Sequence, residues 1–245
     1  MRGVRGVAAA SLVAALSAAV SAAWAGNEPS GREGPHYLLF ASTDLWRHGG
    51  FSHGGLLAAP EGLDREGFVL KVMFSGGLYR YTSGALRNAE VTGRQLAAAI
   101  LPGWRFIRHG TILTVFAGLD LQEHRLTPDD ISAGLRGGYV GARTGFELWY
   151  EPTPETMVAA DASVSSIGPS YSARLAVGWR LFDWFYVGPE AQGFAAGSNY
   201  QQYRAGIHLT GFKTHIVEWS ASAGWAGDSD RRSSVYGRLG ILARR

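Results

Sequence analysis

The chain has 245 residues, 34 glycines, 12% aromatic residues, a formal charge of +3 and no cysteine, so no disulfide framework holds it together. Arg2 and Arg5 supply part of that charge and residues 1–25 hold no acid, which leaves the remainder near +1 and without the clustered basic excess of a nucleic-acid-binding protein. Beyond residue 25 no stretch has 18 consecutive apolar residues, which excludes transmembrane helices.

In chain order, the first 25 residues read as a secretory signal peptide. Arg2 and Arg5 form its positive start, Gly6 to Val20 its short apolar run, and Ala23-Trp24-Ala25 its cleavage site. Residues 26–35, GNEPSGREGP, are a polar flexible lead-in. From residue 36 to 245 the sequence parses into alternating segments separated by turn signals, one β-barrel domain. Strands are predicted at 36–45, 50–58, 67–81, 89–106, 111–121, 139–150, 156–166, 171–181, 185–193, 200–210, 215–225 and 234–244. The alanines of RQLAAAI (94–100) favour a helix, but Val91, Thr92 and residues 104–107 suit a strand better.

The connections sort into two sets. Those on the side of the termini are 59–66, 107–110, 151–155, 182–184 and 211–214, of which 59–66 is long for its set. The opposite set, 46–49, 82–88, 122–138, 167–170, 194–199 and 226–233, includes the longest and most polar loop. Short turns at one end and long loops at the other suit a membrane barrel. The fold expected is all-β: an antiparallel up-and-down transmembrane barrel of about twelve strands following the signal peptide.

Strand parity gives each face a character. Leu175, Val177, Trp179 and Leu181 oppose Arg174, Ala176, Gly178 and Arg180. Tyr203, Ala205, Ile207 and Leu209 oppose Gln202, Arg204, Gly206 and His208. The polar faces also carry Gly141, Gly145, Gly178, Gly188, Gly206 and Gly240; glycine weakens a solvent-facing strand but relieves crowding toward a lumen. The apolar face is therefore expected outward, on lipid. A girdle of Trp149, Tyr150, Trp179 and Trp184 would mark the interface. Trp149 shares the parity of Glu147, so either the strand bends there or the indole closes the lumen floor.

Lumen-facing polar residues are then Arg143, Glu147, Asp161, Arg174, Arg180, Glu190, Arg204, His208, Glu218 and Arg238, whose mixed signs suggest ion-paired ladders. Tyr139, Tyr186, Tyr200 and Tyr236 are candidate sugar-stacking rings. Gly50-Phe51-Ser52-His53-Gly54 matches G-x-S-x-G but lacks the helix that motif requires. No H-x-x-x-H or H-E-x-x-H pattern exists, and no nucleotide-binding motif, so no metal or cofactor is expected.

The runs FAGLDLQEHRLTPDD (116–130), LWYEPTPETM (148–157), ASVSSIGPSYSARLA (162–176), FDWFYVGPEAQ (182–192) and WSASAGWAGDSDRRS (219–233) resemble the bacterial cellulose biosynthesis protein BcsS family. The resemblance is clearest over about residues 110–245. It implies an exported outer-membrane-type protein encoded with cellulose synthesis machinery, and it transfers no catalytic residues. The expected function is a non-enzymatic outer-membrane barrel assisting cellulose biosynthesis, export or anchoring. Its partners would be outer-membrane lipid, cellulose and other secretion components, with no nucleic acid. The alternatives are a soluble periplasmic barrel binding glycan or lipid, and a barrel enzyme on lipid or polysaccharide using Ser52, His53 and His124.

Overall fold

A computed structural model describes residues 34–196 and 200–245. The expected signal peptide, and the expected lead-in through residue 33, lie outside them. The described residues form β1 (Tyr37–Trp46), β2 (Gly49–Ala58), β3 (Gly67–Ser83), β4 (Ala89–Arg108), β5 (Thr111–Thr127), β6 (Gly137–Thr153), β7 (Thr156–Ser165), β8 (Ser170–Leu181), β9 (Phe185–Ala196), β10 (Tyr200–Thr214), β11 (Val217–Asp228) and β12 (Ser233–Arg244). Each strand pairs antiparallel with its chain neighbours, and β1 pairs with β12, from Leu38↔Arg244 to Trp46↔Tyr236. The result is a closed up-and-down barrel with no free edge.

Every segment predicted as a strand is one, and two strand ends move by more than three residues. Strand β5 runs on to Thr127 and β6 begins at Gly137, which shortens the expected 122–138 loop to 128–136. The polar stretch Gln122–Thr127 remains in the ladder because β4 supplies partners as far as Thr92↔Thr127. The expected 211–214 turn is instead part of β10. Gly211, at φ 85°, absorbs a bulge between Thr210 and Phe212, and the turn falls at 215–216.

Parity divides the wall as the pairing dictates. Outward lie Phe74, Leu119, Leu175, Ile207 and Leu239, part of a continuous apolar belt; Ile207 is 64% exposed and Leu239 55%. Near the end bearing the termini, Trp104, Tyr150, Trp179, Trp184 and Trp219 are exposed on this belt. Toward the loop end, Tyr171, Tyr203 and Trp225 repeat the pattern. Aromatic girdles at both margins of an apolar band are the mark of a bilayer-spanning barrel. A soluble barrel would turn this surface inward, so the soluble alternative loses its premise.

Four strands, β3 to β6, have 17 to 20 residues, while β7 and β8 have 10 and 12. About 9 to 11 tilted residues cross a bilayer. The excess stands above the belt at the loop end. There the outward residues change from Leu78, Leu96 and Leu121 to Arg80, Glu90, Arg94, Glu123 and Arg125.

Inside, the terminal end is packed. Leu57, Leu63, Val69, Leu101 and Phe116 form a buried apolar cluster along β2 to β5. Leu63 comes from the β2–β3 connection, the one too long for a plain turn. It is 3% exposed, its carbonyl accepts from Arg105 Nη1 at 2.7 Å, and its amide bonds the Pro35 carbonyl at 2.7 Å. The connection folds into the barrel mouth as an internal plug.

Candidate functional site: the ion-paired lumen

The inward face of the middle barrel is a chain of charge pairs between strands. Asp44 Oδ1 on β1 accepts from Arg204 Nη1 on β10 at 2.8 Å and from Arg238 Nε on β12 at 3.0 Å. Arg238 Nη2 continues to Gln192 Oε1 on β9 at 2.6 Å. Gln192 Nε2 donates to Glu190 Oε1 at 2.8 Å, and Glu190 also receives the Tyr236 hydroxyl at 2.8 Å and Arg174 Nε at 2.9 Å. Arg174 lies 4.0 Å from Asp161. On the facing wall, Lys71 on β3 pairs with Glu147 on β6. Asp120 holds Arg143 at 3.0 Å, the Ser165 hydroxyl at 2.5 Å and Gln122 Nε2 at 2.8 Å.

These pairs satisfy charges that the lumen would otherwise leave poorly solvated. Arg204 shows how far the arrangement goes. Its guanidinium lies 4.8 Å from the Trp46 ring centre and 5.2 Å from those of Phe194 and Tyr236, a cation enclosed by aromatic rings. His208 is also fully engaged: Nε2 bonds the Val177 carbonyl at 3.1 Å and Nδ1 the Thr210 hydroxyl at 3.0 Å. Donation to a carbonyl puts the proton on Nε2, so Nδ1 accepts.

The residues singled out from sequence thus separate into groups. Arg174, Glu190, Arg204 and Arg238 meet in the Asp44 network, with Asp161 at its margin. Arg143 and Glu147 belong to the facing wall. Arg180 sits apart near the terminal end, donating to the Tyr186 hydroxyl, which donates to Glu151 Oε1 at 3.1 Å. Glu218 stands opposite Lys213 on β10 and Leu242 on β12.

Three readings need correction. Trp149 is not part of the girdle. Its parity is inward, its Nε1 donates to Glu151 at 3.1 Å, and its ring meets Tyr186 edge-on at 5.9 Å, so it helps close the lumen floor. Tyr186 and Tyr236, 5% and 1% exposed, have no free ring face for a sugar. Tyr139 and Tyr200 are half-buried, against His124 and Phe194 respectively. The Ser52–His53–His124 set does not assemble either. Ser52 faces outward, its hydroxyl 3.0 Å from Thr43, whereas His53 and His124 face inward. Among the described residues no group of His, Cys, Asp or Glu is placed to hold a metal ion.

Sequence reading missed Asp44, Lys71, Asp120 and Gln192. The signal available was parity. Pairing β1 with β12 places Asp44 directly beside Arg238.

At the loop end, loop 128–136 bends inward across β4. Asp130 accepts the Tyr81 hydroxyl at 3.0 Å, and the Ser132 hydroxyl and amide at 2.6 and 3.0 Å. Loop 229–232 reaches from the other side, with Arg232 Nη1 donating to the Arg80 carbonyl at 3.1 Å.

An apolar exterior around an ion-paired interior defines a closed barrel of the outer-membrane type. Solved structures agree on the fold. An outer membrane channel from Pseudomonas putida F1 is 10% identical with a TM-score of 0.53, covering 90% of this chain and 100% of that one. The translocator domain of the autotransporter NalP from Neisseria meningitidis is 13% identical with a TM-score of 0.50, covering 96% of each chain. A deletion mutant of the monoaromatic hydrocarbon channel TodX is 9% identical with a TM-score of 0.50, covering 87% and 90%. No curated protein sequence matches the chain. The chain belongs to the family described as cellulose biosynthesis protein BcsS, whose model matches residues 38–245.

Proposed function

We propose that this protein is a non-enzymatic outer-membrane barrel that assists cellulose export or anchoring. Family membership supports the process. The observation that carries the reading is the inverted polarity of the wall: a continuous apolar belt outside, and paired charges and packed side chains inside. In this reading the end bearing the termini is periplasmic and the loop end faces outward. The tall β3–β6 wall then rises clear of the lipid, where its charged residues meet water. The ion-paired middle and the packed terminal end support a stapled interior rather than a wide aqueous pore.

Deleting the gene and measuring cellulose tests the role. Released cellulose should fall, or cell-bound cellulose should shift, and the full-length chain should restore both. Unchanged synthesis, release and retention would refute the proposal.

A further inference from the structure

Aromatic rings climb one side of the lumen toward the loop end. Trp46 and Phe51 are 5.9 Å apart with planes at 4°, Phe51 and Tyr79 6.5 Å at 13°, and Tyr79 and Tyr81 6.2 Å at 22°. Such near-parallel rings are laid along the wall, and for the first three the reason is the residue paired with each; Tyr81 pairs with Val91. Trp46 pairs with Gly49, Phe51 with Gly77, and Tyr79 with Gly93. A Cβ on Gly77 would stand 2.5 Å from Phe51 Cγ, one on Gly93 2.2 Å from Tyr79 Cζ, and one on Gly49 2.8 Å from Trp46 Cζ2. Each of these three rings therefore fills the space of the side chain that its cross-strand glycine lacks. One face lies on the glycine backbone and the other turns to the lumen.

The Arg204 guanidinium covers Trp46, which closes the deep end of the strip. Phe51, Tyr79 and Tyr81 remain half-buried along β2 and β3, rising from the ion-paired middle to the Asp130 loop. The charges at either end are already engaged: Asp44 by two arginines, Asp130 by Ser132 and Tyr81. Ser75 and Gln95 flank the strip as uncharged hydrogen-bonding groups. A flat apolar strip with a neutral polar margin suits a pyranose ring, whose C–H face packs on an aromatic π-face while its hydroxyls reach sideways.

We propose that Phe51, Tyr79 and Tyr81 form a stacking track for an uncharged β-glucan chain in the outer half of the lumen. The inference rests on the cellulose reading above and names the surface that the polymer would touch.

The test is calorimetric titration of the refolded full chain in detergent micelles with cellohexaose. Heat-modifiable gel mobility confirms folding of every variant. Tyr79→Ala and Tyr81→Ala should each weaken binding roughly two- to tenfold, the worth of one aromatic contact. Tyr79→Phe should keep wild-type affinity because the face is preserved. Tyr171→Ala, an aromatic on the outward face, should change nothing. Binding by the wild type that both alanine variants leave intact would overturn the track while the proposed function stands. A folded wild type that does not bind cellohexaose would also overturn it. The cellulose assay of the deletion strain judges the broader role separately.

Discussion

Asp44 is the residue on which most of the lumen's charge depends. One carboxylate oxygen accepts from two arginines on two different strands, and the Arg204 side chain is only 3% exposed. Removing it would strand both cations. We expect Asp44→Ala to lower unfolding stability by about 3–5 kcal/mol, since a buried pair broken from one side leaves an uncompensated charge. Denaturant unfolding of the refolded barrel measures this, and an unchanged midpoint would show that the network contributes nothing. Its partner Arg204 lies 160 positions away in sequence. That separation explains why the inward face of the arginines was legible from alternation while their shared partner was not. Parity assigns a face within one strand, but a partner emerges only when the barrel closes β1 onto β12.

Among the elements, two connections do more than turn the chain. The β2–β3 connection places Leu63 in the apolar cluster at the terminal end. Leu63→Ala should cost about 2–5 kcal/mol, as for other buried leucines, read as a loss of unfolding stability; a cost near zero would mean the plug does not pack. This plug also explains why alternation is weaker along β2 to β4 than along β8 and β10. It requires apolar partners, so Leu57, Val69 and Leu101 face inward while lipid-facing residues are apolar too, and alternation fades. The strands β8 and β10, lined inside by arginine and glutamine, show it clearly.

The second connection is loop 128–136. Hydrogen bonds from Ser132 first, then Ser83 and Tyr81, hold the Asp130 carboxyl down to about 2, against an ordinary value of about 3.9. Because the folded value is lowered, the latch contributes fully above about pH 4 and is lost as pH falls through about 2. Hydrogen exchange of the loop, normalised for intrinsic rate, should rise in that window for the native chain. Asp130→Asn should remove this pH step. Equal protection at pH 5 and pH 2 in the native chain would contradict the latch.

For the whole molecule, the claim is that polarity is reversed relative to a soluble barrel. A charge placed mid-belt should then be costly: Leu239→Arg by about 2–4 kcal/mol in lipid, with little effect predicted if that face met water. The native chain contains no cysteine, which makes the claim open to direct measurement. A single cysteine at Ile207 would carry a fluorophore on the refolded barrel in phospholipid vesicles. The account predicts strong quenching by spin-labelled lipid chains and little by aqueous iodide. Quenching by iodide with none by the labelled lipid would place the apolar belt in water and contradict it.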